Sequence, residues 1–128
     1  MSEANLSTFG DAAKGAAGTV PTTVVGVLTE ARTLLIERGW ARGAYRADDG
    51  CFCMAGAVLE ATRAVDGYDY WILDRAMFAL AQSTGRRPLS VNWNAVTNHN
   101  DCYIDNKEQA VAWANRAIER AIIEGANR

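Results

Sequence analysis

The stretch "DNKEQAVAWANRAIERAIIEG", residues 105–125, decides the fold class, because it has the pattern of a long amphipathic helix. Apolar residues recur at steps of three and four, and charged residues occupy the opposite face. Asp105 with Glu108 three residues later resembles a capping box, and Gly125 follows the end. We predict a helix near 106–124. Its expected buried face comprises Val111, Ala114, Ile118, Ala121 and Ile122.

The same periodicity recurs upstream and predicts three more helices, near 24–38, 53–65 and 69–83. Thr22 or Thr23 can cap the first of them, and Gly39 can end it. Asp69 can cap the third, and Gly85 can end it. The expected buried residues are Val24, Val27, Leu28, Ala31, Leu34 and Leu35 in the first helix, Met54, Ala57, Val58, Ala61 and Val65 in the second, and Ile72, Ala76, Ala79 and Leu80 in the third.

Three other features complete the expected fold. An Asp-Gly pair at 66–67 lies in the short link between the second and third helices. Because this link is short, we expect those two helices to pack as neighbours. Trp71 and Phe78 are expected to add bulk to the third helix. Trp71 and Trp113 lie near apolar stripes and are predicted to pack in the core. The predicted fold is all-α or nearly so, a compact four-helix domain.

Two regions outside these helices lack a helical period. The Asp-Gly pair at 49–50 favours a tight turn, so we predict a small hairpin or loop before the second helix. Residues 85–105 are rich in asparagine and too long for a structureless loop, so they must contain local structure or a function. Asn94 can cap a short helical turn there.

The N-terminal segment has a different composition from the rest. Residues 1–21 are rich in small residues and poor in residues that pack, which is typical of a flexible leader. We therefore predict a flexible leader over 1–21 and a single helical domain over 22–128.

Composition excludes several functional classes. Thirteen basic against fifteen acidic residues provide no cationic excess for binding phosphate backbones, so nucleic acid is an unlikely partner. No apolar run approaches the length of a membrane span, and we expect no membrane partner. The N-terminus lacks a basic segment followed by an apolar stretch, and three cysteines cannot all pair within one chain. We therefore expect a cytoplasmic location.

The sequence "ERGWARGAYRADDGCFCMAGAVLEA", followed downstream by "WN", resembles a domain of unknown function found in actinobacteria and their bacteriophages. The resemblance spans roughly Val24 to Ile123. Many relatives have Asn-Asp after the aromatic residue, whereas this chain has Asn-Ala and a longer insertion, "VTNHNDCYID". The family implies kinship and no particular activity. The matching positions are Gly39, Trp40, Gly43, Asp49, Gly50, Cys53, Gly56, Ala57, Trp93 and Asn94.

Three interpretations of the cysteines remain open. Zinc prefers sulfur and imidazole ligands, and the chain contains four such residues, Cys51, Cys53, His99 and Cys102. However, the single residue between Cys51 and Cys53 is shorter than the usual spacing of zinc ligands.

The second interpretation is a catalytic thiol. Cys53 opens a helix, where the dipole favours a thiolate, with His99 as its base and Asn94 as the orienting partner. In the third interpretation Cys53 is a small apolar residue packed between helices, and this is the one we favour. We accordingly predict no cofactor and no metal.

Aromatic residues often dominate binding surfaces, and the asparagine-rich region contains several. We expect a small non-catalytic interaction protein that binds a host or self protein partner, and the family resemblance implies that a phage encodes it. The alternative is a thiol- or zinc-dependent enzyme centred on Cys53 and His99. The predicted interaction surface comprises Trp93, Asn94, Asn98, His99, Asn100 and Tyr103.

Overall fold

The computed structural model describes residues 23–63, 70–85 and 92–125. Over these ranges the chain is helical, with two isolated β-bridges, which confirms the predicted all-α class. The predicted leader over 1–21, the cap at Thr22 and the predictions for residues 64–69 lie outside the described residues. The described helices are α1 (Val24–Arg38), α2 (Met54–Arg63), α3 (Tyr70–Gln82), α4 (Asn92–Cys102) and α5 (Lys107–Ile123).

Helix α1 has the predicted bounds, and all six residues expected on its buried face are buried. Thr23 caps the helix, because its side-chain oxygen accepts a hydrogen bond from the Gly26 N–H at 2.9 Å. Gly39 ends it with φ of 97°, a left-handed conformation that favours glycine, and its N–H donates to the Leu35 carbonyl at 3.0 Å. The N-cap, the buried apolar face and the terminal glycine predicted for α1 are therefore confirmed.

The core lies where these helices meet. Helix α1 packs against α2 and α5, and α3 packs against each of the other four described helices. Trp113 of α5 is completely buried, as predicted, and its indole N–H donates to the Leu80 carbonyl of α3 at 2.9 Å. This bond satisfies the one polar atom of a large buried side chain, so the tryptophan packs without an unpaired donor.

The α1–α2 loop (residues 39–53) contains the predicted small hairpin, which spans residues 46–52. The Gly50 N–H donates to the Ala47 carbonyl at 2.9 Å, and the Ala47 N–H donates to the Cys51 carbonyl at 2.8 Å. Gly50 has φ of 91°, which completes a three-residue turn of the bulged type. A β-bridge between Arg46 and Phe52 closes the hairpin.

Helix α4 is the main difference from the sequence prediction. The segment expected to hold at most a short helical turn contains the eleven-residue helix α4, and Asn94 lies inside it instead of capping it. Asparagine is a poor helix former, so local preference gives little sign of this helix. Its stability comes from tertiary packing, because Val96, His99 and Asn100 are all buried on its inner face.

Further corrections concern helix faces and a cap. Trp71 and Ile122 were expected to be buried but are exposed, because other residues of α3 and α5, among them Leu80 and Trp113, fill the core. Phe78, expected to add bulk to the helix, is exposed as well. Helix α5 is capped one residue later than predicted. The Asn106 side chain accepts from the Gln109 N–H at 2.8 Å, and the Gln109 side chain accepts from the Asp105 N–H at 2.8 Å.

At Gly56 the backbone of the α1–α2 loop lies in close contact with helix α2. A Cβ atom added at Gly56 would lie 1.8 Å from the Tyr45 carbonyl oxygen and 2.6 Å from its carbonyl carbon. Both atoms belong to the backbone, which cannot rotate away as a flexible side chain can. The loop can therefore pack this closely against α2 only because residue 56 is a glycine and has no side chain.

We predict that Gly56→Ala lowers the free energy of unfolding by about 3 kcal/mol, because the added methyl group forces the loop away from α2. Denaturant unfolding followed by circular dichroism measures this change. Gly50→Ala is the matched control: it has no atom within 4 Å of its added Cβ but a positive φ, so it should cost about 1 kcal/mol. Equal losses for the two variants would contradict the close-approach interpretation.

Candidate functional site

The side chain of Asn100 joins three parts of the fold. It is fully buried, and its Oδ1 atom accepts hydrogen bonds from the Trp40 indole N–H at 2.7 Å and the Met54 backbone N–H at 3.0 Å. Its Nδ2 atom donates to the Ala41 carbonyl at 3.1 Å and to Asp101 Oδ1 at 3.0 Å. A single amide from α4 therefore fixes the start of the α1–α2 loop and caps the first turn of α2.

Neighbouring residues strengthen the attachment of the loop to α4. Asp101 Oδ1 also accepts from the Gly43 N–H at 2.9 Å. Arg42 donates to the Ile104 carbonyl and lies 3.4 Å from the Asp105 carboxylate. The exposed ion pair contributes little by itself, so the backbone contacts of Asp101 and Arg42 are the more important ones.

Cys53 lies immediately before α2, as predicted, but its thiol is buried in the core. Its Sγ atom accepts a hydrogen bond from the Gly56 N–H at 3.3 Å, and its carbonyl accepts from the Ala57 N–H at 2.9 Å. Burial raises the pKa of the Cys53 thiol above its usual value. The position thus favours a protonated thiol that caps the helix, whereas a nucleophile needs an accessible thiolate.

The other two thiols lie in different surroundings. Cys51 is half-buried, and its pKa is raised because its thiol is hydrogen-bonded to the Asp49 carboxylate. Cys102 is exposed, and its Sγ donates to Asn98 Oδ1 at 3.5 Å. Over the described ranges no three His, Cys, Asp or Glu side chains are placed to hold a metal ion together. The proposed zinc ligands Cys51, Cys53, His99 and Cys102 therefore do not form such a group.

His99 packs against two aromatic rings. Its own ring is stacked with that of Tyr103 at 5.6 Å between centroids and meets Trp113 edge-on at 4.6 Å. Only 6% of His99 is exposed, whereas Asn94 lies on the exposed face of α4. Asn94 therefore does not share the buried surroundings in which an orienting partner for His99 would have to lie.

The predicted interaction surface divides into exposed and buried members. Asn94, Asn98 and Tyr103 are exposed, whereas His99 and Asn100 are buried. Both buried residues belong to the asparagine-rich segment that was expected to lie on the surface. Their burial depends on ring packing around His99 and on hydrogen bonds to Asn100 from distant parts of the chain, which one-dimensional spacing does not reveal.

Trp93 is half-buried and packs beside Tyr45 of the α1–α2 loop, with ring centroids 6.3 Å apart and an angle of 59° between the rings. Tyr45 is 51% exposed. Tyr45 was not among the residues predicted for the surface, because only the tertiary contact between the loop and α4 brings it beside Trp93. These two rings form a partly exposed aromatic pair where the loop meets α4.

The fold and this site define a small all-α domain in which a short loop is held between two helices by a buried amide. The chain belongs to a family of unknown function, DUF6197, whose family model matches residues 19–120. The predicted kinship with an uncharacterised family is thus confirmed. Neither a curated protein nor a solved structure matched the chain.

None of the helices in residues 23–63, 70–85 and 92–125 combines the necessary length and apolar character to cross a bilayer.

We predict that Asn100→Ala lowers the free energy of unfolding by about 3 kcal/mol, because it leaves the Trp40 and Met54 N–H groups without their acceptor. Asn98→Ala on the exposed face of the same helix is the control and should change it by less than about 0.5 kcal/mol. Chemical denaturation measures both variants. A loss at Asn100 no larger than that at Asn98 would show that the amide does not organise the loop.

We also predict unequal alkylation of the three thiols. A brief exposure to iodoacetamide, read by peptide mass spectrometry, should label exposed Cys102 at least about 100-fold faster than Cys53. Because burial raises the pKa of Cys53, its thiol should remain protonated as the pH rises through the range where an unfolded cysteine ionises. In denaturant the three rates should converge. Fast labelling of Cys53 in the native protein would instead indicate an activated thiol.

Proposed function

We propose that this protein is a non-catalytic interaction protein that binds a protein partner through the Tyr45–Trp93 surface, the exposed parts of those two rings. The observation that carries the proposal is the half-exposed Tyr45 ring packed beside Trp93 on a loop attached to α4 and α2. Tyrosine and tryptophan provide large contact areas with few rotatable bonds, and they are enriched among the residues that dominate binding energy.

The attachment of the loop supports this proposal, because a surface already ordered before binding loses less conformational entropy on binding. The Tyr45 carbonyl accepts from the Cys53 N–H at 3.3 Å and lies directly against Gly56. The Trp93 carbonyl accepts from the Thr97 hydroxyl at 3.0 Å within α4. The backbone carbonyls of both Tyr45 and Trp93 thus accept hydrogen bonds, so the backbone that carries each ring is held in place.

The state of the thiols favours binding over catalysis. A thiol-dependent mechanism requires a deprotonated cysteine that a substrate can reach. Cys53 is buried and its pKa is raised, and His99 is buried between Tyr103 and Trp113. These features fit structural roles in a helix cap and an aromatic cluster.

The proposed setting follows from the sequence. We extend the proposal to a phage-encoded protein, because its Gly-Trp, Asp-Gly and Cys motifs resemble a family of actinobacteria and their bacteriophages. We also propose a cytoplasmic location, because three cysteines cannot all pair within one chain. The partner is then a host protein or another copy of the chain. We include in the surface the exposed residues Asn94 and Asn98 of α4 and Tyr103, which directly follows α4.

Site-specific photo-crosslinking tests the proposal. A photoreactive phenylalanine analogue at position 45, in cells that naturally encode the protein, should give one adduct of defined mass. The same analogue at the exposed position 108 on α5 should not give it. Equal adducts at both positions, or none at position 45, would contradict the proposed surface.

Once the crosslinked partner is purified, the affinity of the Tyr45→Ala variant can be measured. We predict a loss of at least about tenfold, because truncating an aromatic ring at the centre of an interface costs on the order of 1–2 kcal/mol or more. Tyr70→Ala, which removes an exposed tyrosine from α3, is the matched control and should leave the affinity unchanged. Circular dichroism confirms that both variants are folded.

A further inference from the structure

Helix α3 has an exposed face that the proposed function does not use. Its inner face packs against all the other described helices through residues such as Leu73, Met77 and Leu80. On its outer side Trp71 is 57% exposed and Phe78 is 39% exposed. Two large aromatic side chains thus lie on the surface of the most central helix, where solvation of apolar area is unfavourable.

The exposed side chains of α3 form one stripe. We call Trp71, Asp74, Arg75 and Phe78 the α3 stripe; all four are exposed. They occupy positions i, i+3, i+4 and i+7, which lie on one side of an α-helix. The Arg75 guanidinium lies 5.5 Å from the centroid of the Trp71 ring, a cation–π contact that orders both side chains within the stripe.

The chemistry of the α3 stripe is symmetric along the helix. Reading from the N-terminus, it has an aromatic residue, an acid, a base and an aromatic residue, with the midpoint between Asp74 and Arg75. If a second α3 is placed antiparallel across a twofold axis at this midpoint, Trp71 faces Phe78 of the second copy. Asp74 then faces Arg75 of the second copy. Each contact occurs twice, as a twofold interface requires.

We propose that the α3 stripe is a self-association surface, on which two copies of this chain pair through antiparallel α3 helices. The occupant is a second copy because the stripe is complementary to itself in both charge and apolar character. The two acid–base pairs flank the axis, and the two aromatic pairs lie one helical turn farther out, which fits side-by-side packing of helices.

The size of the contact sets its expected strength. A helix of thirteen residues is about 20 Å long, and a single helix pair buries less surface than a standard stable interface. The dimer is therefore weak and concentration-dependent. It does not rest on the proposed function, because the α3 stripe shares no residue with the Tyr45–Trp93 surface.

Sedimentation equilibrium of the full chain tests this proposal. Between about 1 μM and about 1 mM, the weight-average mass should rise from that of the monomer toward that of the dimer. Trp71→Ala should weaken the association by at least about tenfold, since the loss is repeated in both copies. A mass that stays monomeric at all concentrations would overturn the proposal.

A charge exchange tests the antiparallel register. Asp74→Arg places two arginines opposite one another at each side of the axis, and we expect the dissociation constant to rise at least about tenfold. The double variant Asp74→Arg with Arg75→Asp restores an acid–base pair on each side and should recover most of the association. Both positions are exposed, so neither change should prevent folding, which circular dichroism verifies.

Glu119→Arg is the control, because it reverses a charge at an exposed position of α5 and should leave the association unchanged. An effect equal to that of Asp74→Arg would assign the loss to net charge and overturn the proposal. Failure of the double variant to recover association would overturn the register. Photo-crosslinking at position 45 is independent of these outcomes, so failure of one proposal is distinguishable from failure of the other.

Discussion

The buried amide of Asn100 is the constraint on which the arrangement of this domain depends. It accepts from Trp40 and Met54 and donates to Ala41 and Asp101, so that α4, the α1–α2 loop and the start of α2 meet at one side chain. Removing a buried amide costs the hydrogen bonds and also strands their partners. For that reason a polar residue at this point determines where three chain segments lie.

The start of α2 explains why such an amide is needed. The first N–H groups of a helix lack partners within it. Cys53 provides an acceptor through its sulfur, which bonds the Gly56 N–H, but sulfur is a weak acceptor. The Asn100 oxygen supplies the Met54 N–H with a stronger one. The cysteine that draws attention in the sequence is therefore one part of a cap completed from α4.

The sequence predicts those parts of the fold that depend on local pattern. The apolar stripe of α1 and the burial of Trp113 follow from helical periodicity, and both are found in the structure. Helix α4 does not follow, because its inner face is held by contacts with residues far away in the sequence. The burial predicted for Trp71 was wrong because α3 is apolar on more than one face, and periodicity then does not identify which face is covered.

The candidate site was predicted only in part for the same reason. Trp93 was identified from its aromatic character, but its contact with Tyr45 depends on how the loop crosses α4. His99 and Asn100 were expected on the surface as members of the asparagine-rich segment, but both are buried. Their burial requires partners that only the assembled fold supplies.

The long sequence separation between Asn100 and its partners has a consequence for biosynthesis. Trp40, Ala41 and Met54 leave the ribosome well before Asn100 does, since 46 residues separate Met54 from Asn100 along the chain and 60 separate Trp40 from it. Until α4 emerges, the loop has no acceptor for the Trp40 indole and α2 has no complete cap. A nascent chain can therefore form α1 and α2 before Asn100 emerges to order the loop that carries Tyr45.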